Sequence, residues 1–146
     1  MGSEMCIRDS IKILQRAKSL SIPMLCTNPD KIVLHGNATH ICAGYLAAYY
    51  SSIGGVVSYI GKPYPAVFER CKSLSGKMDT SRYLMIGDNL ETDIRGANSS
   101  KFSSLLLGTG VHKITDKSGC NLDLSAIQSF QNKLSSFADY AMTSLR

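Results

Sequence analysis

Tyr83-Leu84-Met85-Ile86-Gly87-Asp88-Asn89-Leu90-Glu91-Thr92-Asp93 is the stretch on which the reading of this chain turns. Four consecutive apolar or aromatic residues are too few for a helix and read as a strand buried on both faces of an α/β sheet. Gly87 lets the backbone turn, and Thr92 suits the N-cap of a helix that starts near Asp93 and runs through Ile94, Arg95 and Ala97. Ligands of open α/β sheets bind at the carboxyl ends of the strands, which is where this places Asp88. Two carboxylates five positions apart, with no thiol or imidazole between them, suit a hard cation. Mg²⁺ takes one or two protein carboxylates and completes its shell with water and substrate phosphate. Spacing alone fits equally well a loop acid followed by a helix-start acid that favours the macrodipole.

Outward from this stretch, helix and strand signals alternate. Asp9 or Ser10 can cap a helix through Ile11, Leu14, Ala17 and Leu20, and Met24-Leu25-Cys26 then reads as a strand ending in Thr27-Asn28-Pro29-Asp30. Ile32 to Leu34 is a short extended segment. The small-residue run from Ile41 to Ser52 reads as a buried helix stopped by Gly54-Gly55, and Val56 to Ile60 as the next strand. Pro65 to Leu74 carries Val67, Cys71 and Leu74 at helical spacing and stops at Gly76. Beyond Asp93, Ser103 to Leu107 is a strand, Asp123 to Phe137 a helix and Asp139 to Met142 a last strand. Strands alternating with helices predict a mostly parallel sheet with helices on its faces.

Composition excludes several classes. With 146 residues and 44% hydrophobic content the chain can bury a core. It has no apolar stretch of membrane-spanning length and no signal-peptide pattern at its start, so no membrane partner and a cytoplasmic setting are the default expectations. Cys6, Cys26, Cys42, Cys71 and Cys120 are odd in number and form no C-x-x-C pair, which disfavours both a zinc site and a disulfide framework. His35, His40 and Cys42 together lack the ligand count of zinc. The net charge of +5 comes from scattered Lys and Arg without a basic run or interleaved aromatics, so nucleic acid is not the expected partner.

Two glycine motifs fail their templates. Gly61-Lys62-Pro63 has no glycine five positions before Gly61, and Pro63 stands where a P-loop needs the metal-binding Ser or Thr. Gly108-Thr109-Gly110 lacks the third glycine of a dinucleotide fingerprint, because His112 and Lys113 follow Val111. What remains is a lysine at a strand-to-helix turn, Lys62, followed 26 residues later by the acidic strand end at Asp88. A fixed cation near a metal-holding carboxylate is what phosphoryl chemistry needs, since charge spreads over the phosphoryl oxygens.

Taken together, Gly61-Lys62-Pro63 and Gly87-Asp88-Asn89-Leu90-Glu91-Thr92-Asp93 resemble the third and fourth motifs of the haloacid dehalogenase superfamily of phosphohydrolases. Thr27-Asn28-Pro29-Asp30, the helix carrying Ala43-Gly44-Tyr45-Leu46-Ala47, and Gly61-Lys62-Pro63 further resemble its class IIA capped branch, which includes p-nitrophenyl phosphatases and pyridoxal phosphate phosphatases. The resemblance covers roughly residues 10–146 and implies an α/β chain: the later part of an α/β cap over 10–60, and the later part of a Rossmannoid parallel-sheet core over 61–146. It implies a Mg²⁺-dependent phosphatase of a small phosphorylated metabolite. Lys62 would be the charge-stabilising catalytic residue, Asp88 the direct metal ligand, and Asp93 a metal-site partner acting from behind or through water. Asn28 and Asp30 would approach the substrate, although Asn-Pro-Asp turn chemistry explains them as well.

The family's nucleophile is an aspartate in a D-x-D motif, which attacks the phosphoryl group covalently. No D-x-D occurs in this chain, so no nucleophile is assigned. Residues 1–9 match nothing in the family and read as a translated adapter or cloning junction, and the whole reads as a fragment inactive on its own. In the family the nucleophile strand lies beside the fourth-motif strand. Its absence would leave an open apolar edge at Tyr83 to Ile86, with poor solubility or a homo-oligomer as the expected outcome. Alternatives are a non-catalytic protein using the scaffold for binding or assembly, or a missing half supplied by another chain.

Overall fold

The computed structural model describes residues 2–35, 38–76 and 79–145. Its contacts divide the chain into two units, Met1–Gly61 and Lys62–Arg146. Among the described residues no helix is long and apolar enough to cross a membrane.

In the first unit, helix α1 (Gly2–Ser19) leads to strand β1 (Met24–Cys26), an antiparallel pair β2 (Ile32–His35) and β3 (Ala38–Ile41), helix α2 (Ala43–Ser52) and strand β4 (Val57–Tyr59). β1 and β4 pair in parallel from Met24↔Val57 to Cys26↔Tyr59. Tyr50 of α2 is fully buried, and its hydroxyl donates to the carbonyl of Ile22 at 2.5 Å, tying the helix to the approach to β1. Two expectations change here. The first helix does not begin at Asp9 or Ser10 but at Gly2, since nothing in the preceding residues breaks a helix. Ile41 belongs to β3, opposite Ile32, and the helix expected from Ile41 begins only at Ala43. The β-branched residues of Thr39-His40-Ile41 fit a strand, and the two residues between β2 and β3 are Gly36-Asn37, a hairpin cue in the sequence. Gly36-Asn37 itself lies outside the described residues.

In the second unit, helix α3 (Pro65–Leu74) spans the expected residues, with Pro65 at its first turn, where a missing N–H costs nothing. A 3₁₀ turn (Thr80–Arg82) leads to strand β5 (Leu84–Gly87), a π-helical turn (Leu90–Ile94), helix α4 (Arg95–Ser100), strand β6 (Ser103–Leu107), helix α5 (Leu124–Leu134) and strand β7 (Tyr140–Met142). The three strands form a parallel sheet in the order β5-β6-β7, so β5 is an outer strand. α5 is shorter than the expected 123–137. Asp123 caps it by accepting from the amide of Ala126, and Ser135 ends it in the left-handed conformation.

Alternation along these strands sorts their side chains onto two faces. Met85 of β5 packs with Phe68, Ala97 and Phe102, and Leu106 of β6 joins Leu90, Ile94, Ile114 and Ile127, so this face carries the core. Leu84, Ile86 and Tyr140, in register across the other face, are 50%, 42% and 62% exposed. The expectation of a strand buried on both faces is therefore wrong for β5. Its helices cover one side only, because α3, α4 and α5 all supply apolar residues to the Met85 and Leu106 side.

Candidate functional site

The end of β5 and the turn after it bring Asp88, Asp93 and Lys62 together. Asp93 is buried, and its two oxygens are divided between two tasks: Oδ1 accepts from Lys62 Nζ at 2.5 Å, and Oδ2 accepts from the amides of Asp88 and Asn89, each at 3.2 Å. Gly87 makes this possible. A Cβ there would stand 2.2 Å from the Asp93 carboxylate carbon, so only glycine lets the side chain lie against the strand end. The Lys62 side chain is 39% exposed while that of Asp93 is 3% exposed, so the pair reaches from the core to solvent. The Lys62–Pro63 peptide is cis.

The helix cap differs from the expectation. Thr92 does not cap; it sits buried inside the π-helical turn, its hydroxyl without a hydrogen-bond partner among the described residues. Asn89 is the cap, its Oδ1 accepting from the Glu91 amide at 2.9 Å. The turn starts three residues earlier than Asp93, which moves Asp93 from a helix start into the wall of the site. π-helical turns commonly mark functional positions.

Asp88 faces a second loop. Its Oδ2 accepts from the Val111 amide at 3.0 Å, and a Cβ at Gly110 would fall 2.0 Å from Asp88, so the Gly108-Thr109-Gly110 segment serves close approach rather than a dinucleotide. His112, next along, accepts at Nε2 from the Leu90 amide at 3.1 Å, and its ring tilts against Phe130 at 5.1 Å. Burial holds this imidazole below its ordinary range, against the opposing pull of the Glu91 and Asp88 carboxylates. Asn89, Gly110, Val111 and His112 had no role in the sequence reading. Only Asn89, two residues before Glu91, carried a readable cue, since Asn side chains cap amides two positions on.

Asn28 and Asp30 belong to the first unit. Asn28 Oδ1 accepts from the Asp30 amide at 3.2 Å, a local turn bond, while Asp30 Oδ1 is buried with no partner among the described residues. No group of three or more His, Cys, Asp or Glu side chains is placed to hold a metal among the described residues, and the side chain of His35 lies outside them. The donor set nevertheless fits Mg²⁺. Asp88 offers hard carboxylate oxygen at a strand end, and this ion needs no more than one or two protein carboxylates. Asp93 has both oxygens committed to Lys62 and the backbone, which makes it an anchor for the site.

A family model described as HAD-hydrolase-like matches residues 59–128, the segment that holds Lys62, Asp88, Asp93 and His112. The chain is 33% identical over 81 residues to chronophin of Homo sapiens, covering 56% of this chain and 27% of that protein. It is 32% identical over 87 residues to the D-glycerol 3-phosphate phosphatase of Mycobacterium tuberculosis, covering 60% of this chain and 22% of that one. Among solved structures, a haloacid dehalogenase-like hydrolase from Brucella suis superposes with a TM-score of 0.71 at 31% identity, covering 95% of this chain and 50% of that one. The chain thus spans about a quarter of the length of these curated relatives and half of the matched structure.

Proposed function

We propose that this chain, which resembles the haloacid dehalogenase-like hydrolases over residues 59–128, supplies the lysine and metal-holding half of a Mg²⁺-dependent phosphatase for a small phosphorylated metabolite. The observation that carries this reading is the Lys62–Asp93 ion pair, whose buried Asp93 carboxylate also accepts from the backbone amide of Asp88. Asp88 would hold Mg²⁺, which supplies positive charge to the oxygens of the transferring phosphoryl group. Lys62, partly open to solvent, brings a fixed ammonium to the same charge. Asp93 acts as a positioning residue: it fixes that ammonium and, through the amides of Asp88 and Asn89, the backbone that presents Asp88.

In this reading the attacking aspartate of an aspartyl-phosphate mechanism comes from a D-x-D segment outside the present sequence, and the first unit is the later part of a cap whose Asn28 and Asp30 face the substrate. The phosphatase named among the relatives acts on a small phosphate ester, which supports the metabolite class. A second reading is a non-catalytic protein that uses the same scaffold for binding or assembly.

Hydrolysis of p-nitrophenyl phosphate separates the two. The product of a coding sequence extended upstream to include a D-x-D strand is expected to show Mg²⁺-dependent turnover that falls at least a hundredfold, roughly the weight of one electrostatic stabiliser, in Lys62→Met. The 146-residue chain alone is expected to show none. An extended protein without turnover supports the binding reading. Mg²⁺-dependent turnover by the short chain, abolished in Asp88→Ala, contradicts a division of labour between this half and a separate nucleophile segment.

A further inference from the structure

Leu90, two residues beyond Asp88, has both of its backbone groups held by side chains from distant parts of the unit. Its N–H donates to His112 Nε2 at 3.1 Å, and its carbonyl accepts from the buried Ser136 hydroxyl at 2.7 Å. The residue before His112 makes the complementary contact, Val111 N–H to Asp88 Oδ2 at 3.0 Å. Val111 and His112 thus grip the segment 88–90 at two points, one on the carboxylate and one on the backbone. A ring nitrogen can accept only when it carries no proton, so His112 must be neutral with its hydrogen on Nδ1.

We infer that His112 is a positioning residue for the Asp88 carboxylate: by accepting from Leu90 it docks the 108–112 loop on the π-helical turn and so places the Val111 amide that orients Asp88 Oδ2. The direction of the His112 pKa agrees with this role, since burial against Phe130 favours the uncharged ring that can accept. The inference rests on the metal-holding reading of Asp88 for its functional consequence, but not for its geometry. Groups behind a ligating side chain commonly change metal affinity by about 10–100-fold when removed.

Amide hydrogen exchange and Mn²⁺ titration of the 146-residue chain test it, with His112→Gln, His112→Asn and His112→Phe. Gln carries an acceptor oxygen out to about the Nε2 position, whereas Asn reaches only that of Nδ1. Asn and Phe are expected to speed exchange at Leu90 and Val111 and to weaken Mn²⁺ binding by about tenfold, while Gln stays near the parent chain. The Leu106 amide in β6 serves as the control for folding. Unchanged Val111 exchange in a folded His112→Asn, or a Gln variant no better than Asn, overturns the inference. A ring of the unaltered chain found with its proton on Nε2 overturns it without any variant. If Asp88→Asn binds Mn²⁺ as tightly as the parent, the metal reading fails by itself, and Val111 exchange still decides the role of His112.

Discussion

The two faces of the β5-β6-β7 sheet are built from the same short apolar runs and have opposite fates. On one, Leu106 is fully buried among Leu90, Ile94, Ile114 and Ile127, and the turn that carries Asp93 is anchored to it. On the other, Leu84 and Ile86 stand 50% and 42% exposed on an outer strand. The site therefore draws its rigidity from one layer of packing. The charged pair, the π-helical turn and the 108–112 loop all lie on elements tied to the covered face.

That asymmetry can be broken from its strong side first. Leu106→Ala removes a fully buried side chain and should cost about 2–5 kcal/mol in urea unfolding, the range for such truncations. A loss under about 1 kcal/mol would mean that the covered face is not the seat of stability. Lys62→Met comes next. It leaves the Asp93 carboxylate buried without its cation, and a cost of about 2 kcal/mol is expected, below that of a fully buried pair because water reaches the lysine. Asp93→Asn, which keeps the shape, should recover part of that loss when combined with Lys62→Met. Strict additivity of the two would count against the pairing.

A smaller effect should appear with pH. The folded His112 has a pKa below its ordinary 6.5, so the unfolded chain binds the extra proton first as pH falls. The stability that depends on neutral His112 is fully present above about pH 6.5 and is lost as pH drops from there toward the folded value. His112→Gln should remove this part of the slope below about pH 6.5 and leave the rest. The smallest effect belongs to the open face. Leu84→Lys with Ile86→Lys should change unfolding free energy by no more than about 0.5 kcal/mol each while lowering self-association in sedimentation. A large destabilisation would show that this face is packed in solution.

Much of the fold was legible because its signals were local. Pro65 and Gly76 bracket α3, and the bounds of β6 follow from Ser103-Ser104-Leu105-Leu106-Leu107. The β2–β3 hairpin was not read, because a four-residue strand ending at Ile41 abuts the helix that follows Cys42 and the two merge into one apolar run. At the site, the acids and Lys62 stood out by chemical type. What they do to one another did not. The commitment of both Asp93 oxygens depends on a bond across 31 residues and on the π-helical register, which moves the cap from Thr92 to Asn89. His112 lies 22 residues from its partner and left no periodic trace. The exposure of Leu84 and Ile86 was equally hidden, since an apolar run states what can be buried and not how many layers arrive to bury it.

The central claim is that Asp88 holds a divalent cation on the turn that Asp93 and Lys62 brace. Paramagnetic Mn²⁺ added to the isotopically labelled 146-residue chain tests it most directly, because relaxation reports proximity without requiring turnover. Selective broadening of the amides of residues 87–91 and 109–112 is predicted in the unaltered chain, with its loss in Asp88→Asn. Broadening that persists in Asp88→Asn, or that centres on the Asn28 and Asp30 loop instead, would contradict the claim.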